Sequence, residues 1–113
     1  VGEDDQLRNA ERLAERSLNY RIFPDAHGKM NRSLIDTGGA MLAVPQFTLV
    51  ADSGKGNRPS FGHCADPELG LELFQHYVRS AQKSITRLET GEFGADMSVS
   101  LINTGPVTFW LSA

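Results

Sequence analysis

The chain is poor in the residues on which several functional classes depend. It holds one cysteine, Cys64, so no intramolecular disulfide can form, and a lone thiol suits a reducing compartment. The commoner role for such a cysteine is that of a small, partly buried apolar residue rather than a reactive thiol. Its histidines, His27, His63 and His76, stand apart, without the paired spacing of a zinc site, so no metal centre is expected. No apolar run approaches the ~20 residues that cross a bilayer. Positive charge is also short. Eleven Lys and Arg against 14 Asp and Glu leave a net charge of -3, which excludes attachment to nucleic acid by bulk charge but not through a local basic patch.

What remains is ordinary globular composition, with 40% apolar and 22% charged residues in 113, enough for one domain over residues 1–113 and one modest core. Between residues 5 and 19, Leu7, Ala10, Leu13, Ala14 and Leu18 recur at three- and four-residue steps, predicting an amphipathic helix capped by Asp4 or Asp5. Tyr20-Arg21-Ile22-Phe23 reads as a strand, stopped by the turn chemistry of Pro24-Asp25-Ala26-His27-Gly28. Residues 29–36 read as an edge strand. Residues 41–50 are the strongest strand candidate, with Pro45 as the oddity, since proline belongs at an edge, a bulge or a break. Residues 51–64 form a loop with a small basic cluster. Asp66-Pro67-Glu68 opens a second helix whose apolar stripe runs to about Leu88. Residues 97–102 and 107–111 alternate as final strands around Asn103-Thr104-Gly105-Pro106. Two helices and roughly five or six strands describe an α+β fold with an antiparallel or mixed, barrel-like sheet.

Obvious chemistry is scarce. No nucleophile-elbow glycine pattern is present, and Gly54-Lys55-Gly56 lacks the length and following helix of a phosphate loop. Thr48 carries a hydroxyl on the predicted core strand, but no base is adjacent in sequence, and a strand threonine is more often structural. Asp52 suits a loop cap or a salt bridge better than a general base. Gly105-Pro106 invites another reading. An X-Pro bond is the one linkage where a cis peptide is cheap, and such a corner could aim main-chain groups at a small ligand; an ordinary hairpin turn is the alternative.

Several stretches together resemble the D-aminoacyl-tRNA deacylases. They are Pro45-Gln46-Phe47-Thr48-Leu49-Val50-Ala51-Asp52, Gly56-Asn57-Arg58-Pro59-Ser60-Phe61, Gly94-Ala95-Asp96-Met97 and Asn103-Thr104-Gly105-Pro106-Val107-Thr108-Phe109. Tyr20-Arg21-Ile22-Phe23 and Gly28-Lys29-Met30-Asn31 match as well, so the resemblance runs along essentially the whole chain. It implies a deacylase-type fold and a cytoplasmic, cofactor-free homodimer that hydrolyses the ester between a D-amino acid, or glycine, and the 3′ end of tRNA. It further implies that Gly105-Pro106, as a cis corner, projects from one subunit into the pocket of the other and excludes L side chains. Gln46, Phe47 and Thr48 would line that pocket, with Thr48 as a catalytic candidate only, since main-chain groups and the RNA 2′-hydroxyl would run the reaction. Lys55, Arg58 and Lys29 would meet tRNA phosphates.

Two departures from the family pattern stand out. Pro45 replaces the usual serine and so removes a hydroxyl and an N–H. The chain also opens at Val1, where members carry roughly thirty earlier residues, two or three strands at ordinary lengths, so an N-terminally truncated domain is expected. Both departures support an alternative, a non-catalytic dimeric binding module. A general esterase acting covalently through Thr48 is the remaining reading.

Overall fold

A computed structural model describes residues 1–113. Helix α1 spans Leu7–Asn19, one or two residues inside the predicted start. Its cap is Gln6 rather than an aspartate: Gln6 and Asn9 exchange side-chain and main-chain bonds, the Gln6 N–H donating to Asn9 Oδ1 at 2.9 Å. Asp5 is occupied elsewhere, its Oδ2 accepting from the Gly2 N–H at 2.7 Å.

Strands β1 (Phe23–Pro24) and β2 (Met30–Arg32) form an antiparallel hairpin, much shorter than the predicted strands. The cause lies in the residues after Arg32. Ser33-Leu34-Ile35-Asp36 is a capping box: Ser33 Oγ accepts from the Asp36 N–H at 3.1 Å, and Asp36 Oδ2 accepts from the Ser33 N–H at 2.8 Å. Helix α2 (Leu34–Thr37) therefore replaces the second half of the expected edge strand and stops at Gly38, whose φ of +64° suits glycine.

The long strand predicted over residues 41–50 is broken. Strand β3 holds only Met41–Ala43, and Phe47–Val50 is a 3-10 turn. Pro45 offers no N–H to a neighbouring strand, so the ladder ends beside it; its last rung is the Gly91 N–H to the Ala43 carbonyl at 2.8 Å.

Helix α3 (Pro67–Gln82) begins as predicted, with Asp66 accepting from the Leu69 N–H at 3.0 Å and Pro67 opening the first turn. It ends at Gln82, short of the expected Leu88, and Leu88–Thr90 becomes β4. That strand, absent from the sequence reading, pairs in parallel with β3 in the register Met41↔Leu88, Leu42↔Glu89 and Ala43↔Thr90. A parallel pair needs a long crossover, and the segment containing α3 supplies it.

The core lies between α1 and α3 and is closed by α2. It is built from Ala14, Leu18, Leu34, Ala81 and Ile85, with Phe23, Met41, Tyr77 and Leu88 at its edge. Ala14 and Ala81 are nearly inaccessible, so the two helices approach closely over small side chains. His76 Nε2 and Glu11 Oε1 join the same helices at 2.8 Å. Phe93 sits over the first turn of α3 because Gly70 lacks a Cβ, which would come within 3.2 Å of the ring.

The result is α+β, as expected, with three helices and two separate two-stranded sheets instead of one barrel-like sheet. Residues 97–102 and 107–111 are not strands, and Ile102 is 94% exposed. Strand structure requires inter-strand hydrogen bonds, and these segments make none to either two-stranded sheet. Their end is tethered by side chains instead. Asn9 Nδ2 donates to the Ala113 carbonyl at 3.0 Å, Arg16 donates to the Ser112 carbonyl, and Tyr20 meets Phe109 edge-on with ring centroids 5.5 Å apart. No helix is long and apolar enough to cross a membrane.

Candidate functional site

The 3-10 turn after the Pro45 break carries the pocket residues expected from the sequence. Gln46 caps it in extended conformation, and Phe47 and Thr48 are its first two members, so Thr48 lies on a tight turn and not on a strand. No hydrogen bond joins Thr48 to a histidine, carboxylate or amine. Within this chain the hydroxyl has no hydrogen-bonded base.

Three neighbouring contacts hold the turn. The Cys64 thiol donates to the Phe47 carbonyl at 3.5 Å. The Phe47 and Phe61 rings pack at 5.2 Å with their planes tilted by 59°. Between them in sequence, Asp52 and Ser60 exchange main-chain bonds of 2.8 and 2.9 Å, which closes residues 53–59 into a loop. Asp52 Oδ1 caps this loop by accepting from the Gly54 N–H at 2.8 Å. Asp52 is thus a loop cap, one of the two roles favoured above.

Behind the turn, residues 63–65 pair with the start of the chain. The Glu3 N–H donates to the His63 carbonyl at 3.0 Å, and the Ala65 N–H donates to the Val1 carbonyl at 3.1 Å. His63 Nδ1 lies 2.9 Å from Glu3 Oε1, and this hydrogen bond, followed by the Glu3 charge and those of Asp52 and Asp4, raises the imidazole above its usual pKa. The sequence offers His63 no role and Cys64 only that of a small, partly buried residue. Neither sits in a motif, and only folding brings Glu3 across 60 positions.

Lys55 and Arg58 are exposed on the closed loop and belong to none of the ion pairs in the structure. Lys29 lies on the β1–β2 turn, where its N–H donates to Asp25 Oδ1 at 3.0 Å. Asp25 organises that turn: the Asn31 amide, then the Lys29 and His27 N–H groups, hold its carboxyl below the usual range. Lys55 and Arg58 share the 53–59 loop, whereas Lys29 lies on the separate β1–β2 turn, and no hydrogen bond connects the two.

Gly105 and Pro106 are exposed and make no hydrogen bond to residues 46–48. All peptide bonds are trans, so the cis corner expected at Gly105-Pro106 is not found; Gly105 turns the chain with φ +111° instead. Trans is favoured by about 0.5–1 kcal/mol at X-Pro bonds, and no packed neighbour opposes it here, the nearest atom to a Cβ built on Gly105 being Val107 N at 3.9 Å. A shallow groove of about 530 Å³ lies elsewhere, lined by Asn19, Tyr20, Arg21, Met30, Asn31 and Phe109. No three His, Cys, Asp or Glu side chains cluster as metal ligands would.

Residues 1–112 match the family described as D-Tyr-tRNA(Tyr) deacylase. The D-aminoacyl-tRNA deacylase of Halorhodospira halophila is 56% identical over 110 residues, covering 96% of this chain and 71% of that protein. The enzyme of the same name from Alkalilimnicola ehrlichii is 55% identical over 113 residues, covering 100% of this chain and 75% of its own. Among solved structures, the c-Myc DNA Unwinding Element Binding Protein superposes with a TM-score of 0.86 at 30% identity, covering 95% of this chain and 73% of that one. With its motifs in order along the whole length, the chain belongs to the D-aminoacyl-tRNA deacylase family of tRNA-ester hydrolases.

Proposed function

We propose that this chain hydrolyses the ester bond of D-aminoacyl-tRNA, releasing free D-amino acid and tRNA, with residues 1–113 acting as one domain in the cytoplasm. The observation that carries the reading is the match of residues 1–112 to the family, with identity above one half to its named enzymes. Water is the nucleophile in this reading. It adds to the ester carbonyl, the oxyanion accepts hydrogen bonds from main-chain N–H groups of residues 46–48, and the ribose 3′ oxygen leaves with a proton. The neighbouring 2′-hydroxyl of the RNA helps position that water, so no cofactor is required. Gln46, Phe47 and Thr48 form the pocket wall. The missing base beside Thr48 favours this route over a covalent one.

Discrimination against L-amino acids is assigned to the Gly105-Pro106 corner of a second subunit. The corner's exposure supports this, as do the open apolar side chains around it: Leu101, Ile102, Val107 and Trp110 mark a surface suited to a partner copy. Exclusion here rests on main-chain bulk at the Cα substituent, and glycine esters, which lack that substituent, would also be cleaved.

The test is deacylation of D-tyrosyl-tRNA and L-tyrosyl-tRNA by the purified protein. Rapid loss of the D ester with the L ester spared is the expected result. Equal cleavage of both overturns the reading, and cleavage of neither would favour a non-catalytic binding module.

A further inference from the structure

Helix α3 divides its charge by end. Asp66 and Glu68 stand at its start and Glu72 in its second turn, whereas Arg79 lies in the last turn, Lys83 at the C-cap and Arg87 four residues farther on. The winding continues past Gln82, since the Ser84 and Ile85 N–H groups both donate to the Ala81 carbonyl, at 3.1 and 3.3 Å. Ala81 and Ile85 are in the core. Residues two positions away lie roughly 200° around such a winding, so Arg79 and Lys83 are on its outer side, and Arg87 beyond it is exposed as well. None of the three is ion-paired. On α1, by contrast, Arg12 pairs with Glu15 at 2.8 Å and Arg16 donates to the Ser112 carbonyl. The helix dipole favours cations in the last turn, but it does not reach Arg87, and like charges four residues apart repel one another. A polyanion meeting all three relieves that repulsion. The row is also tied to the candidate pocket. The Met41 N–H donates to the Arg87 carbonyl at 3.0 Å, and Gln46 lies five residues after Met41. Even fully extended, that segment keeps the two Cα atoms within about 18 Å. A double-helical acceptor stem begins only a few unpaired nucleotides from the ester, so a stem at the row leaves its 3′ end within reach of residues 46–48. An anionic membrane or an acidic peptide matches the charge alone, whereas RNA matches the charge and the distance.

Resting on the ester-hydrolase reading above, we propose that Arg79, Lys83 and Arg87 form a docking surface for the phosphates of a double-helical RNA stem, separate from the loop that carries Lys55 and Arg58. The row holds the body of the tRNA while its single-stranded end enters the pocket. The acids at the other end of α3 repel a stem laid the opposite way, so the charge division sets orientation despite the net charge of -3.

The test uses fluorescence anisotropy with the whole protein and a short labelled RNA hairpin with a blunt end, which offers the pocket no single strand. Arg79→Gln, Lys83→Gln and Arg87→Gln should each lower the slope of log affinity against log salt by about 0.7–0.9 and together weaken binding at least about tenfold. Arg79→Lys should keep the slope. With D-tyrosyl-tRNA as substrate, the triple variant should raise KM at least about fivefold, the loss falling on KM rather than kcat. No hairpin binding by the parent, or a salt slope unchanged in all three variants, overturns the proposal. So does lost affinity for phosphatidylserine vesicles with the hairpin bound as before, which would mark a membrane surface. A urea midpoint that falls while hairpin affinity holds would leave the cations as partners of the helix dipole and also overturns it. Because the hairpin carries no ester, the two readings fail separately. Hairpin binding through the row without D-tyrosyl-tRNA cleavage refutes the hydrolase alone, and cleavage with row-independent hairpin binding refutes the docking surface alone.

Discussion

The Cys64 thiol reaches the Phe47 carbonyl at 3.5 Å, and the same residue is paired with Gly2 through an antiparallel bridge. A single position thereby ties the turn carrying Thr48 to the beginning of the chain. An S–H···O bond is weak, so its effect is on placement more than on stability. Cys64→Ala should change the free energy of unfolding by under about 0.5 kcal/mol. It should lower kcat for D-tyrosyl-tRNA roughly two- to tenfold with little change in KM, and Cys64→Ser should recover most of the loss. Single-turnover deacylation beside urea unfolding measures both. A parallel loss of stability and activity would mark Cys64 as a packing residue only.

Thr48 stands without a base, so Thr48→Ala should retain activity within about tenfold of the parent. A covalent role would instead cost roughly a thousandfold or more. Rapid-quench measurement of D-tyrosyl-tRNA deacylation distinguishes these, and Thr48→Val provides a control of matching shape.

Gly105 adopts φ +111°, where an L side chain costs about 1–2 kcal/mol. No atom would clash with the added Cβ, so Gly105→Ala should lower the melting temperature by that backbone cost alone, roughly 4–15 °C. If the corner screens substrates, the ratio of D to L cleavage should fall far more than the stability does. Parallel assays on the two tyrosyl-tRNAs, with a thermal melt, check this. An unchanged ratio removes the corner from discrimination.

His63 gains its raised pKa from Glu3, so its protonated form is preferred in the folded state. The sign follows: the stabilisation is fully present below the unfolded histidine value of about 6.5 and is lost as pH rises through the higher folded value. NMR titration of the ring should show Glu3→Gln bringing the pKa back down. In the parent, hydrogen-exchange protection of the Glu3 and Ala65 N–H groups, corrected for intrinsic rates, should weaken on the alkaline side. A His63 titration indifferent to Glu3→Gln would refute the pairing.

Ala81 is fully buried where α3 meets α1. Ala81→Leu should destabilise the fold by about 1–3 kcal/mol through overpacking, read as a lower urea midpoint at unchanged slope. An unaffected midpoint would mean that the helices can separate without cost.

The features legible in the sequence were those decided over a few neighbouring residues. The stripe from Leu7 to Leu18 and the Asp66-Pro67-Glu68 start specify α1 and α3 because helix hydrogen bonds and caps are local. The Ser33–Asp36 capping box is equally local, although residues 29–36 read as an edge strand across it. Pro45 signalled the break that leaves Thr48 on a turn, and the ordered motifs pointed to the family. Tertiary structure decided what depends on distant partners. The parallel pairing of Leu88–Thr90 with Met41–Ala43, the reach of Glu3 to His63, and the seating of Phe61 on Phe47 join segments that no local spacing relates. The apolar alternation of residues 97–111 shows the reverse case: a strand pattern becomes a strand only where another edge takes its hydrogen bonds, and here these residues pair with neither sheet.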